Sequence, residues 1–225
     1  MRNYFSCWYI YGMATGGLRE RKKQQMRELI AETARTLFSE RGFEQVTVAE
    51  IARAANVSTQ TVFNYFPTKE DLVYWRLESF EEELLTTLRE RAPGETVLAA
   101  FGRFVRAPRG MLGDYDAEAR ERLAAVTRMI VASPSLLARE QQIFDGFTST
   151  LAALLAVEVG ADEDDIAPRV AANALMGVHR ALVDFTRRRI VAGARHPALA
   201  REVRAQADDA LALLERGLGD YSPRR

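Results

Sequence analysis

Residues 41–72 read RGFEQVTVAEIARAANVSTQTVFNYFPTKEDL. The signals in this stretch are local and follow one another without a gap. Gly42 ends the helical run that precedes it. Thr47-Val48-Ala49-Glu50 is a capping box, in which hydroxyl and carboxylate each satisfy an amide that the new helix cannot. That helix is short, because Asn56 tolerates the left-handed backbone of a tight turn. Ser58 is an N-cap for a third helix ending near Tyr65, and Pro67 stops it. Thr68-Lys69-Glu70-Asp71 resembles a second capping box, predicting a long fourth helix to about Arg91. Ile51 points inward, Ala52 is small where two helices would cross closely, Ala55 to Val57 make the turn, and Val62 packs back. Two short helices meeting at a steep angle need those residue types, which is the pattern of a helix-turn-helix.

Any short helical hairpin needs a small residue and some aliphatics, so the spacing alone does not decide the matter. The face left over does. Ser58, Thr59, Gln60 and Thr61 are compact hydrogen-bonding residues at the start of the third helix, the end a recognition helix turns toward a groove. Gln60 can pair with an adenine edge through two hydrogen bonds, and the threonine methyls can touch thymine methyls. Asn64 and Tyr65 lie one turn on, within reach of bases or phosphate. Thr47 and Lys69 sit at helix starts, where hydroxyl or ammonium and free amides together suit a phosphate. The preceding helix carries Arg19, Arg21, Lys22, Lys23 and Arg27. Between Arg19 and Lys69 there are three more basic than acidic residues, although the whole chain balances 31 against 31. A local basic excess beside a helix-turn-helix reads as phosphate contact.

Outward from this stretch the chain stays helical. Ile30, Ala34, Leu37 and Phe38 mark one face of a helix from about Leu18 to Arg41. Beyond Pro93, breaks fall at Pro108, Gly110, Gly113, Pro134 and Gly160, and two long helices close the chain, at about Asp164 to Val191 and Leu199 to Leu218. No stretch alternates with period two, so the expected class is all-α. The expected organisation is an N-terminal extension (1–18), a three-helix DNA-binding domain (19–67) and a helical effector-binding and dimerisation domain (68–221). The opening MRNYFSCWYIYGMATGG is read as a poorly ordered extension with Met13 a possible initiator. It is aromatic rather than leucine-rich and runs straight into a charged helix, unlike a secretion signal.

The single cysteine, Cys7, excludes an internal disulfide and suits a reducing cytoplasm. With only His179 and His196 beside it, a four-ligand zinc site of the usual kind is excluded. No metal and no cofactor are expected. No apolar run of bilayer-crossing length is apparent, so no membrane partner is expected either. Glu81 to Glu83 read as a solvated face, and Asp162 to Asp165 as a cap for the next helix rather than a calcium loop. No nucleophile triad, phosphate loop or dinucleotide fingerprint is present, which argues against an enzyme.

The quoted stretch closely resembles the N-terminal module of TetR/AcrR-type regulators, strongly over about Arg19 to Leu77 and beyond that only as a succession of helices. Its most specific piece is TVFNYFPTKEDL. The resemblance implies that Thr47, Thr59, Gln60, Thr61, Asn64, Tyr65 and Lys69 fall on DNA-contacting positions. Phe63 stands where many relatives carry tyrosine, so a phosphate-directed hydroxyl is missing there. It also implies an effector pocket and a dimer interface in the remaining helices. Candidate pocket residues are Trp75, Phe101, Phe104, Met129, Phe144, Phe147, Met176 and His179, a mostly apolar set suited to a hydrophobic or amphipathic small molecule. The residues speak for a dimer independently. From Val170 to Phe185 the helix is apolar nearly all round and must be covered on every side. The expected interface is Ala171, Leu175, Val178 and Leu182, joined by a stripe of Leu211, Leu214 and Leu218. The resulting expectation is a sequence-specific regulator, a repressor released from a palindromic operator by its effector. An activator and a purely structural helical bundle are the alternatives.

Overall fold

The computed structural model describes residues 17–107, 117–194 and 197–217. The opening extension up to residue 16, together with His196 and Leu218, lies outside the described residues. Among those described, ten helices and no strands occur: α1 (Leu18–Arg41), α2 (Val48–Ala54), α3 (Thr59–Tyr65), α4 (Asp71–Tyr74), α5 (Leu77–Arg89), α6 (Val97–Arg106), α7 (Ala117–Ala132), α8 (Pro134–Val159), α9 (Ala167–Val191) and α10 (Ala198–Arg216). The chain divides into two compact units, the first ending at Trp75 and the second beginning at Arg76. The division therefore falls after α4 rather than at Pro67.

The first unit forms as its caps dictate. Gly42 leaves α1 with φ 82°, a conformation open to glycine, and its amide closes on the Phe38 carbonyl. Thr47 and Glu50 exchange both capping-box hydrogen bonds. Asn56 takes φ 54° between α2 and α3, and Val57 donates back to the Ala52 carbonyl at 2.9 Å. Ile30, Ala31 and Ala34 of α1, Ile51 and Ala52 of α2, Val62 of α3 and Phe66 form its buried centre.

The expected single helix from Thr68 to about Arg91 is two. Thr68 and Asp71 do exchange capping-box hydrogen bonds, but α4 lasts one turn. Trp75 and Arg76 remain right-handed while ψ drifts to −22° and −8°. A ψ near zero swings the carbonyl off the helix axis, which opens the ladder without any proline or glycine.

In the second unit α8 and α9 pack against each other most extensively. Asp145 pairs with Arg180 and Glu140 with Arg187. The earlier residue of α8 meets the later one of α9, so the two helices run antiparallel. Phe101, Phe104, Phe144, Phe147, Leu151, Leu175 and Met176 share the core between α6, α8 and α9. By length and composition α8 could cross a bilayer, which the sequence reading did not expect. Its Leu136, Phe144, Phe147, Leu151 and Leu155 are instead buried within the protein. α10 packs on α6 and α9, and a Cβ at Gly102 of α6 would approach Leu211 of α10 to 3.2 Å. Asp165 accepts the Ala167 amide at 2.8 Å, the helix-capping role expected of that acidic run.

The all-round apolar reading of α9 fails. Leu175, Val178 and Leu182 belong to the core of their own chain, as does Leu211 of α10, and Leu214 is half-buried against it. The solvent side is a different stripe, exposed Val170, Gly177, Ala181, Asp184, Arg188 and Val191 with half-buried Ala174, at alternating spacings of four and three. It carries two charges, and Ala171 lies exposed beside it. Hydrophobic composition cannot separate the two sides, because leucines form one and alanines much of the other.

Candidate nucleic-acid interface and regulatory core

The candidate reading face is built by α3, and two caps orient it. The Ser58 hydroxyl accepts the Thr61 amide at 3.0 Å and shares a 2.8 Å hydrogen bond with the Thr61 hydroxyl. Thr47 is held in the same way by Glu50, whose carboxylate also accepts from Arg41 at 2.8 Å. Those bonds, the Thr47 backbone amide first and then Arg41, hold the Glu50 pKa down to about 2. Ser58 and Thr47 therefore act first as helix caps, with their hydroxyls engaged in bonds to their own helices at the surface.

Thr59, Gln60, Phe63 and Asn64 are the exposed members of α3, with Thr61 and Tyr65 half-buried on its flanks. Gln60 donates one amide proton to Asn64 Oδ1 at 3.0 Å. The second amide proton and Oε1 of Gln60 stay available, which is the donor–acceptor pair an adenine edge requires. The bond ties the Gln60 amide to the side chain one turn on.

Two cations expected at phosphates are engaged elsewhere. The Lys69 ammonium donates to the carbonyls of Phe43 at 2.9 Å and Val46 at 3.2 Å, and lies over the Phe43 ring. It closes the α1–α2 turn from inside. Arg27 lies over Phe66, its guanidinium 5.4 Å from the ring centroid. Arg19, Arg21, Lys22 and Lys23 remain exposed on the first turns of α1.

The second unit brings most of the pocket candidates together. Phe101, Phe104, Phe144, Phe147 and Met176 are buried in one cluster. Phe80 of α5 packs half-buried against it: its ring lies 5.1 Å from Phe104 and 4.7 Å from His179. His179 also meets Phe144 edge-on at 5.2 Å. Burial, and then the charges of Arg180 and Arg187, push the His179 pKa down to about 4, so the imidazole is neutral at neutral pH. Arg180 reaches Asp145 at 2.7 Å and Thr148 at 3.3 Å, and its buried Nε has no partner among the described residues. Met129 is half-buried on α7 outside this cluster, and Trp75 closes the other unit. An open groove of about 390 Å³ lies elsewhere on the second unit, lined by Val131, Leu137, Arg187 and Val191 among others.

Comparison with known proteins agrees with this division. Residues 30–74 match the tetR family of bacterial regulatory proteins, and residues 95–220 match the MftR C-terminal domain. The transcriptional regulator TcmR of Streptomyces glaucescens is 32% identical over 156 residues, covering 68% of this chain and 69% of its own. A regulator of Mycobacterium tuberculosis named MftR is 26% identical over 66% of this chain and 73% of its own. Among solved structures, NalD, the secondary repressor of the MexAB-OprM multidrug efflux pump in Pseudomonas aeruginosa, superposes with a TM-score of 0.54. It is 22% identical and covers 86% of this chain and 97% of its own, a likeness of fold. With a matching reading head, a matching C-terminal domain and a relative of that identity over that length, the chain belongs to the tetR family of bacterial regulatory proteins and is a DNA-binding transcriptional regulator.

Proposed function

We propose that this regulator is a cytoplasmic repressor that binds a palindromic operator as a homodimer and is released by a small hydrophobic or amphipathic effector. One observation carries the DNA side of this reading. The outer face of α3 offers a pre-oriented Gln60–Asn64 pair beside Thr59, and among the described residues the remaining Gln60 donor and acceptor have no partner. Thr47, Ser58, Thr61 and Tyr65 are the supporting contacts, through helix starts and flanks rather than base edges.

The effector site in this reading is the aromatic cluster around Phe80, Phe144, Phe147 and His179. A neutral imidazole is there the polar group that orients an otherwise apolar ligand. The dimer forms through the solvent stripe of α9 rather than through Leu175, Val178 and Leu182. Val170 and Val191 are each more than half exposed at its ends, and Gly177 and Ala181 between them allow two helices to approach closely. A two-fold pairing of that stripe presents the same residues from both copies. The deciding experiment is a gel shift of the full chain on DNA from upstream of its own gene, with and without candidate effectors. A retarded complex that a compound dissolves supports the reading. Failure to bind any duplex there, or in a random-sequence pool, removes it.

A further inference from the structure

The exposed aromatic of α3 is left over from the hydrogen-bonding account. Phe63 is 43% accessible, while the residue before it, Val62, and the helix cap Phe66 are buried. At 100° per residue Phe63 falls on the side of α3 that carries Thr59, one turn before it, and next to the sector of Gln60 and Asn64. A phenyl ring held in water beside three polar side chains costs free energy that only a covering surface recovers.

Phenylalanine can neither donate nor accept a hydrogen bond, so it cannot read a phosphate or the polar edge of a base. In the major groove the one apolar group that distinguishes base pairs is the thymine C5-methyl. We propose that Phe63 is a specificity-determining residue that packs on the methyl of one operator thymine. This rests on the reading that α3 enters the major groove. Side chains one helical turn apart have Cβ atoms about 5–6 Å apart, and successive base pairs are stacked at ~3.4 Å. The thymine should therefore stand within about two base pairs of the base read by Gln60.

The test uses the full chain and an operator duplex, taken from the upstream DNA or selected from a random-sequence pool. Each thymine of a half-site is replaced in turn by deoxyuridine, which deletes the methyl and nothing else. One replacement should weaken the wild-type protein about fourfold, the burial free energy of one methyl-sized group. Phe63→Ala should bind the parent duplex more weakly and lose all response to that replacement. Phe63→Leu, with an aliphatic tip in place of the ring, should keep part of it. Thermal melts of each variant show whether it folds, and the comparison between duplexes is internal to each protein. If Phe63→Ala keeps the full wild-type response at every thymine, the proposal is overturned. It is also overturned if Phe63→Tyr gains affinity equally on thymine and deoxyuridine duplexes, the mark of a backbone contact. If Gln60→Ala and Phe63→Ala both leave binding unchanged, the failure belongs to the placement of α3 and not to Phe63 alone.

Discussion

Lys69 Nζ donates to the Phe43 carbonyl at 2.9 Å while standing 4.1 Å from the centroid of the same residue's ring. A lysine beside a helix start is easily read as a phosphate ligand, yet here two of its three protons serve the α1–α2 turn. Lys69→Met should therefore lower the stability of the DNA-binding unit, by about 1–3 kcal/mol, because the Val46 carbonyl loses its donor and the Phe43 carbonyl keeps only the longer bond from the Val46 amide. It should leave the slope of log affinity against log salt close to that of the wild type. Gln60→Ala should behave oppositely, with an unchanged melt and a loss of about 1–3 kcal/mol per half-site confined to one or two operator positions. A Lys69 variant that melts normally and flattens the salt slope by about one charge per protomer would restore the phosphate role.

These two residues also mark how far the sequence could be read. The ends of α1, α2 and α3 were legible because Gly42, Thr47, Asn56, Ser58 and Pro67 act on their immediate neighbours. The role of Lys69 was not, because its acceptors lie 23 and 26 residues earlier in the chain. Arg27 escaped for the same reason, its ring partner being Phe66. The break at Trp75–Arg76 carries no proline or glycine to announce it. The ring partners of Phe80 were not legible either, because Phe104, Phe147 and His179 come from three helices much later in the chain.

His179 gives a pH signature. Its pKa is pushed from 6.5 to about 4, first by burial and then by Arg180 and Arg187. Between those values the unfolded chain binds the proton and the folded one does not, so stability falls as pH falls through that window. The slope contributed approaches about 1.4 kcal/mol per pH unit within the window and vanishes above it. Urea unfolding of wild type and His179→Phe at several pH values from 4 to 7.5 measures the difference. Parallel pH dependences would show that the imidazole takes up its proton without penalty and is not enclosed by Phe80 and Phe144.

The two sides of α9 make separable predictions about assembly. Leu175 is buried in its own chain, so Leu175→Arg places an unpaired charge in the core and should unfold or aggregate the protein. Ala181 is exposed at the middle of the solvent stripe. Ala181→Arg should leave the helical content and melt of each protomer intact while shifting sedimentation from a dimer toward a species near 25 kDa. If Ala181→Arg stays fully dimeric, the stripe is not the interface. If the wild type itself sediments as a monomer at micromolar concentration, the dimer is lost with it.

The effector switch is tested by linkage. A rigid helix running from Lys69 past Phe80 would have offered a mechanical route, but the helical ladder is interrupted at Trp75 and Arg76. What remains is a thermodynamic requirement that no structural route can evade. A ligand shifts the equilibrium between DNA-competent and incompetent states only by its differential affinity for them. If it weakens operator binding by some factor, the operator must weaken the ligand by the same factor. For a compound that releases the repressor, calorimetry should therefore give a lower affinity in the presence of operator duplex, with a ratio equal to that found in the gel shift. A coupling of about 1–3 kcal/mol, or roughly 5- to 150-fold, is the usual range. His179→Phe should reduce ligand affinity on both sides of that cycle without changing operator affinity in the ligand's absence, because the imidazole belongs to the second unit and makes no contact with DNA in this reading. A compound bound equally well with and without operator is not the inducer, however tightly it binds. If every compound that binds behaves in that way, the effector-released repressor falls and the DNA-binding regulator stands without it.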